Sequence, residues 1–132
     1  MPPITRWHVK LSLLYLVAGL TLGVVQATGG EGALLAPYVH LLVVGWITQM
    51  IFGVAYWMFP RFSKERPRGS DQLAVAGFAL LNLGLLLRVV VEPLQTHHPA
   101  TGLGWLLLVS AVAQWLAGLA FAFNTWPRVK ER

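Results

Sequence analysis

Four apolar stretches, at about 11–25, 37–59, 73–91 and 102–123, run along this chain with few interruptions, and short polar segments divide them. A backbone inside hydrocarbon must satisfy its N–H and C=O groups within the crossing structure, and for separate apolar stretches of this length that means α-helices across a core of roughly 30 Å. The pattern predicts an all-α fold: an integral membrane four-helix bundle, antiparallel and up-down-up-down, forming a single domain over residues 1–132. Composition agrees, since 56% of the residues are hydrophobic and 11% charged, whereas a soluble domain carries charge on about a quarter of its residues. No separate soluble domain fits beside four spans.

Local signals mark the ends. The glycines of the segment 28–32 cannot sustain a helix cheaply, Pro37 suits the first turn of the second span, and Pro60 followed by a basic segment ends it. Ser70 or Asp71 is placed to cap the third span, which is expected to close at Glu92-Pro93; the fourth stops before Asn124, Thr125, Trp126 and Pro127. The first span, preceded by Arg6 and Lys10 and followed by Val25-Gln26-Ala27, has the look of a signal peptide but is expected to be retained.

The basic residues set the orientation. Arg6 and Lys10, then Arg61, Lys64, Arg66 and Arg68, then Arg128, Lys130 and Arg132 all fall on one side of a four-span chain. By the positive-inside rule that side is cytoplasmic, with both termini there and the protein in the cytoplasmic (inner) membrane. The formal charge of +5 therefore reads as topology signal and contact with anionic membrane lipid, not as a nucleic-acid surface. Trp7, Trp57, Trp105 and Trp126 lie near span ends, where interfacial anchors belong. The absence of cysteine excludes disulfides, thiolate metal sites, iron–sulfur clusters and covalently attached c-type haem.

Small and polar residues recur at helical spacing: Gly19 and Gly23; Gly45, Gln49 and Gly53; Gly77, Leu81, Gly84 and Arg88; Ser110, Gln114 and Gly118. Such stripes let membrane helices approach and give polar groups a partner away from lipid, so they read as packing seams.

Ionisable groups within spans are costly and are functional suspects. His40 falls about one turn into the second span and Arg88 about one turn before the end of the third, at similar depth. Glu92 follows Arg88 at the i,i+4 spacing of a helical ion pair, and His97 and His98 come next in the loop; Gln26, Glu31 and Trp105 end neighbouring spans at the same face. The plain reading is an interfacial histidine, a snorkelling arginine neutralised by Glu92, and a solvated His-His dipeptide. Two functional readings compete with it. In one, His40 is an axial ligand of a b-type haem lying along Val44, Ile47, Ile51 and Val54, with Arg88 near the propionates. In the other, His40, His97, His98 and Glu92 hold zinc or copper.

The ordered run His40, Gly45, Trp46, Phe52, Gly53, Tyr56 and Pro60 resembles the second-helix segment of the haem-copper oxidase subunit I superfamily, nearest to its C-type oxidase, nitric oxide reductase and NnrS-like branches. The next span, with Asn82, Gly84, Leu87 and Arg88, is similar to the following helix of those proteins, so the resemblance covers roughly half of the chain. It implies that His40 matches a low-spin haem ligand. Those subunits have many more helices and further histidines, so reduction of oxygen or nitric oxide by this chain alone is not expected. A second axial ligand would come from His97 or His98, from another subunit, or from His40 of a two-fold related copy. The resulting expectation is a homodimer or larger assembly serving electron transfer, haem handling or gas sensing. A cofactor-free accessory subunit of a larger respiratory complex and a zinc- or copper-handling protein are the alternatives, and no nucleophile with a base, phosphate loop or carboxylate dyad supports catalysis.

Overall fold

A computed structural model describes residues 1–29 and 32–129 of the chain. Every regular element in it is helical, and four helices are long and apolar enough to cross a membrane: Pro3–Ala27, Gly32–Met58, Asp71–His97 and Gly104–Arg128. Glu31, Lys130 and Arg132 lie outside the described residues.

The first span begins at Pro3, well before the expected residue 11, because its charges are one-sided. Arg6 and Lys10, four apart, are exposed, while Thr5, His8, Ser12, Tyr15 and Gly19 are buried at alternating spacings of three and four. That spacing keeps one face of an α-helix turned inward. The polar side chains are the inward ones, and Leu14, Val17, Leu20 and Val24 point out. This inversion suits a lipid solvent, in which apolar groups lose nothing by exposure and polar groups need protein partners.

The second span opens as a 3-10 turn, continues as α-helix over Leu35–His40, winds as a π-helix over Leu41–Thr48, and returns to α-helix over Gln49–Met58. From Pro37 to Gly53 its buried positions, Pro37, Leu41, Gly45, Gln49 and Gly53, are four residues apart. In an α-helix each step of four overshoots a full turn by about 40°, so such a stripe would wander by about 160° over four steps. The wider π turns absorb the excess and hold the stripe against its neighbours. The contacts are close: an added Cβ at Gly53 would lie 2.6 Å from His8 Cβ, at Gly45 2.8 Å from Tyr15, and at Gly19 2.8 Å from Leu42.

Ser70 caps the third span by accepting a hydrogen bond from Leu73 N at 3.2 Å. The helix does not close at Glu92-Pro93 as expected; it continues to His97 with Pro93 inside it. A proline removes a single backbone donor, a loss membrane helices tolerate, and the turns around it persist, with Thr96 Oγ1 donating to the Glu92 carbonyl at 2.9 Å and His98 N to Leu94 O at 2.9 Å.

The third and fourth spans pack through Gly84, where Ser110 Oγ donates to the Gly84 carbonyl at 2.6 Å and itself accepts from Gln114 Nε2 at 3.1 Å. Gly118, by contrast, faces open space. Tyr15, Leu41 and Leu85 form the central apolar cluster, and the Tyr15 hydroxyl donates to Asn82 Oδ1 at 2.9 Å. Phe52 and Phe121 stack with ring centroids 4.0 Å apart, tying the second span to the fourth.

Candidate functional site

At one end of the bundle the second and third spans bring His40, Glu92 and Arg88 together. Helix spacing places the Ala36 carbonyl one turn before His40, and it lies 2.8 Å from His40 Nδ1. A carbonyl only accepts, so Nδ1 carries a proton, and in the neutral ring Nε2 is then the nitrogen with the lone pair. Glu92 Oε2 approaches the same Nδ1 at 3.4 Å. It receives no hydrogen bond, because the Nδ1 proton is directed at Ala36; the contact is electrostatic only. The other Glu92 oxygen accepts from Arg88 Nε at 2.7 Å, across the expected i,i+4 spacing. Glu92 is largely enclosed, with its side chain 10% exposed, while His40 and Arg88 keep about a quarter of theirs open.

The imidazole is thus a ring fixed by its Nδ1 that presents a basic Nε2, the state in which histidine ligates a metal. The π segment starts at the next residue, a type of irregularity found often at functional sites. The apolar stripe beyond His40 is divided, however. Val44 packs on the central cluster and Val54 is half-buried, whereas Ile47 and Ile51 are exposed on the outer surface, as is Val43 outside the expected stripe. Inside the bundle, the cavity bounded by His8, Phe52, Phe78 and Phe121 measures only about 20 Å³. The exposed Ile47 and Ile51 are the part of the stripe that a flat cofactor could lie against, and a second wall would come from outside the chain.

The other residues at this end do not join the group. His97 is the last residue of the third helix and His98 its C-terminal cap; both are exposed. Among the described residues no three of His, Cys, Asp and Glu gather as metal ligands, so the set His40, His97, His98 and Glu92 is not assembled as a zinc or copper site. Trp105 is exposed, and Gln26 lines a separate groove with Gly23 and Tyr38.

A first span starting at about residue 11 leaves His8 outside it, and the structure corrects this. His8 lies within the first helix, 5% exposed, edge-on to Phe78 with ring centroids 4.8 Å apart. It was masked by its charged neighbours Arg6 and Lys10, yet its place in the series 5, 8, 12, 15, 19 was a readable signal. It faces Gly53, 13 residues or about 20 Å along the second span from His40, so the two rings do not share a site. Arg128 was also missed: it is 1% exposed and donates from Nε to Pro60 O at 3.0 Å and from Nη2 to Phe59 O at 2.8 Å. Nothing local signals that clamp, since its partners lie 68 and 69 residues away.

Comparison with protein-family models, with curated proteins and with solved structures gives no match.

Proposed function

We propose that this chain is a multi-pass protein of the cytoplasmic membrane, up-down-up-down with both termini cytoplasmic, that binds a b-type haem through His40. Its work would be electron transfer, haem handling or gas sensing linked to respiration. The observation that carries this reading is the fixed imidazole: Nδ1 is committed to the Ala36 carbonyl beside Glu92, which leaves Nε2 as a ligand nitrogen. The resemblance of the second span to haem-copper subunits supports it. Haem would supply one-electron or gas-binding chemistry at its iron. This chain's part is to hold the ring orientation, to place Arg88 near the propionates, and to offer Val43, Ile47 and Ile51 as one apolar wall. A second copy related by a two-fold axis would supply the other wall and the second axial ligand. The contact pairs Gly23 with Tyr38, Gly19 with Leu42, Tyr15 with Gly45 and His8 with Gly53 support antiparallel first and second spans.

The test is an absorption spectrum of protein purified in detergent after expression with ample haem. A Soret band that is lost in His40→Ala and kept in His97→Ala, His98→Ala supports the proposal. Colourless wild-type protein, or a band that survives His40→Ala, overturns it. A second reading, a cofactor-free accessory subunit of a larger respiratory complex, draws on Gly118, an expected seam residue that faces open space where another helix could pack. It predicts co-purification with large partners that His40→Ala leaves intact.

A further inference from the structure

Three arginines converge at the end of the bundle opposite His40. Arg61, Arg68 and Arg128 line one cavity of about 350 Å³ with Trp57, Pro60 and Pro67. Among the described residues none of the three has a carboxylate at ion-pair distance; the Arg88–Glu92 ion pair is at the other end. Asp71, which lines the adjoining groove with Arg68, accepts instead from the Tyr56 hydroxyl at 2.7 Å.

Arg128 makes the cavity more than a solvated basic rim. Its guanidinium binds the Phe59 and Pro60 carbonyls just beyond the second span and lies 5.6 Å from the Tyr56 ring centroid, which pins it in place. Its remaining nitrogen, Nη1, is buried and has no partner among the described residues. An ionised group held almost wholly out of water with an unused donor is costly unless an anion completes it. A fixed guanidinium fork flanked by two more arginines matches the oxygens of a phosphate.

The surroundings select the source of that phosphate. Trp57 and Met58, at the end of an apolar span, are exposed beside the cavity, where acyl chains would run alongside a headgroup held by the arginines. We infer that Arg61, Arg68 and Arg128 form a binding site for the phosphate headgroup of an anionic phospholipid. The inference is independent of the haem proposal, since the site lies at the opposite end of the spans.

The experiment reconstitutes the protein in bilayer discs of equal phosphatidylglycerol and phosphatidylcholine, extracts it in neutral detergent, and measures the lipid retained per chain. The wild type is expected to keep phosphatidylglycerol in preference to phosphatidylcholine. Arg61→Gln, Arg68→Gln should cut that preference about tenfold or more, the worth of one charged hydrogen bond. Neither side chain makes a hydrogen bond among the described residues, so helicity by circular dichroism should be unchanged. If the double variant loses helicity, single Arg61→Gln is read instead, with the same direction expected. Equal retention of the two lipids, or an unchanged preference in the folded variant, overturns the inference. So does protection against thermal unfolding by inorganic phosphate equal to that given by phosphatidylglycerol, which would assign the site to soluble phosphate.

Discussion

Replacing Gly53 by alanine tests the seam between the first two spans. The new Cβ would stand 2.6 Å from His8 Cβ, and a Cβ moves only with its backbone, so no rotamer relieves the clash. Ordinary contact needs about 0.8 Å more, which the two helices must supply by parting. A gap of that size forfeits roughly a quarter to a half of the dispersion energy of the atoms along it, and overpacking of this kind costs about 1–3 kcal/mol. Alanine regains about 1 kcal/mol of helix propensity, for a net loss of about 0–2 kcal/mol against the wild type and about 1–3 kcal/mol against an alanine that meets no neighbour. Gly118→Ala is the control, because its Cβ meets nothing within 4 Å; it should be neutral or stabilising by up to about 1 kcal/mol. Reversible unfolding in mixed dodecyl-maltoside and dodecyl-sulfate micelles, followed by circular dichroism, measures both. The packing argument is refuted if Gly53→Ala is as stable as Gly118→Ala.

The same assay reads three further changes. Tyr15→Phe removes the bond to Asn82 and should cost about 0.6 kcal/mol, the usual worth of an interhelical hydrogen bond in a membrane. Ser70→Ala, which strips the cap from Leu73 N, should cost about 1 kcal/mol, with Ser70→Thr largely restoring it. Arg128→Ala releases the carbonyls of Phe59 and Pro60 and should cost about 3 kcal/mol, since hydrogen bonds from a charged donor are the strong ones. At the His40 end, Glu92→Gln takes a negative charge from beside the imidazole; for the proposed haem it should leave the Soret band in place and move the redox potential upward, because the carboxylate favours the more positive, oxidised iron.

How much of this was legible depends on the range of the interaction. Four apolar stretches, the Ser70 cap, the Arg88–Glu92 pair and most glycine seams follow from spacing within one helix, and the structure has them. Boundaries failed where a charge or a proline was read as a stop. Arg6 and Lys10 sit on an exposed face of a helix that continues past them, and Pro93 deletes one donor without ending its helix. His8 was readable from its three-and-four spacing, provided the polar face of a membrane helix is taken as the inner one. The approach of Glu92 to His40 and the Arg128 clamp depend on how separate spans are placed, and no local pattern encodes that. The outward division of the stripe at Val43, Ile47 and Ile51 was hidden for another reason: it depends on the winding of Leu41–Thr48, which an assumed α-helix misphases.

That wide-wound stretch also gives the second span a spare residue. Its eight positions lie between His40 above and the Gln49–Gly53 seam below, and tightening a π turn to an α turn expels one of them. Rewinding would swivel the His40 end by about 100° while the lower half stayed seated against His8. The helix is thus built like a shaft with a slipping joint just beneath the imidazole, and shortening the chain by one residue there should be borne far better than the same deletion beside Gly84.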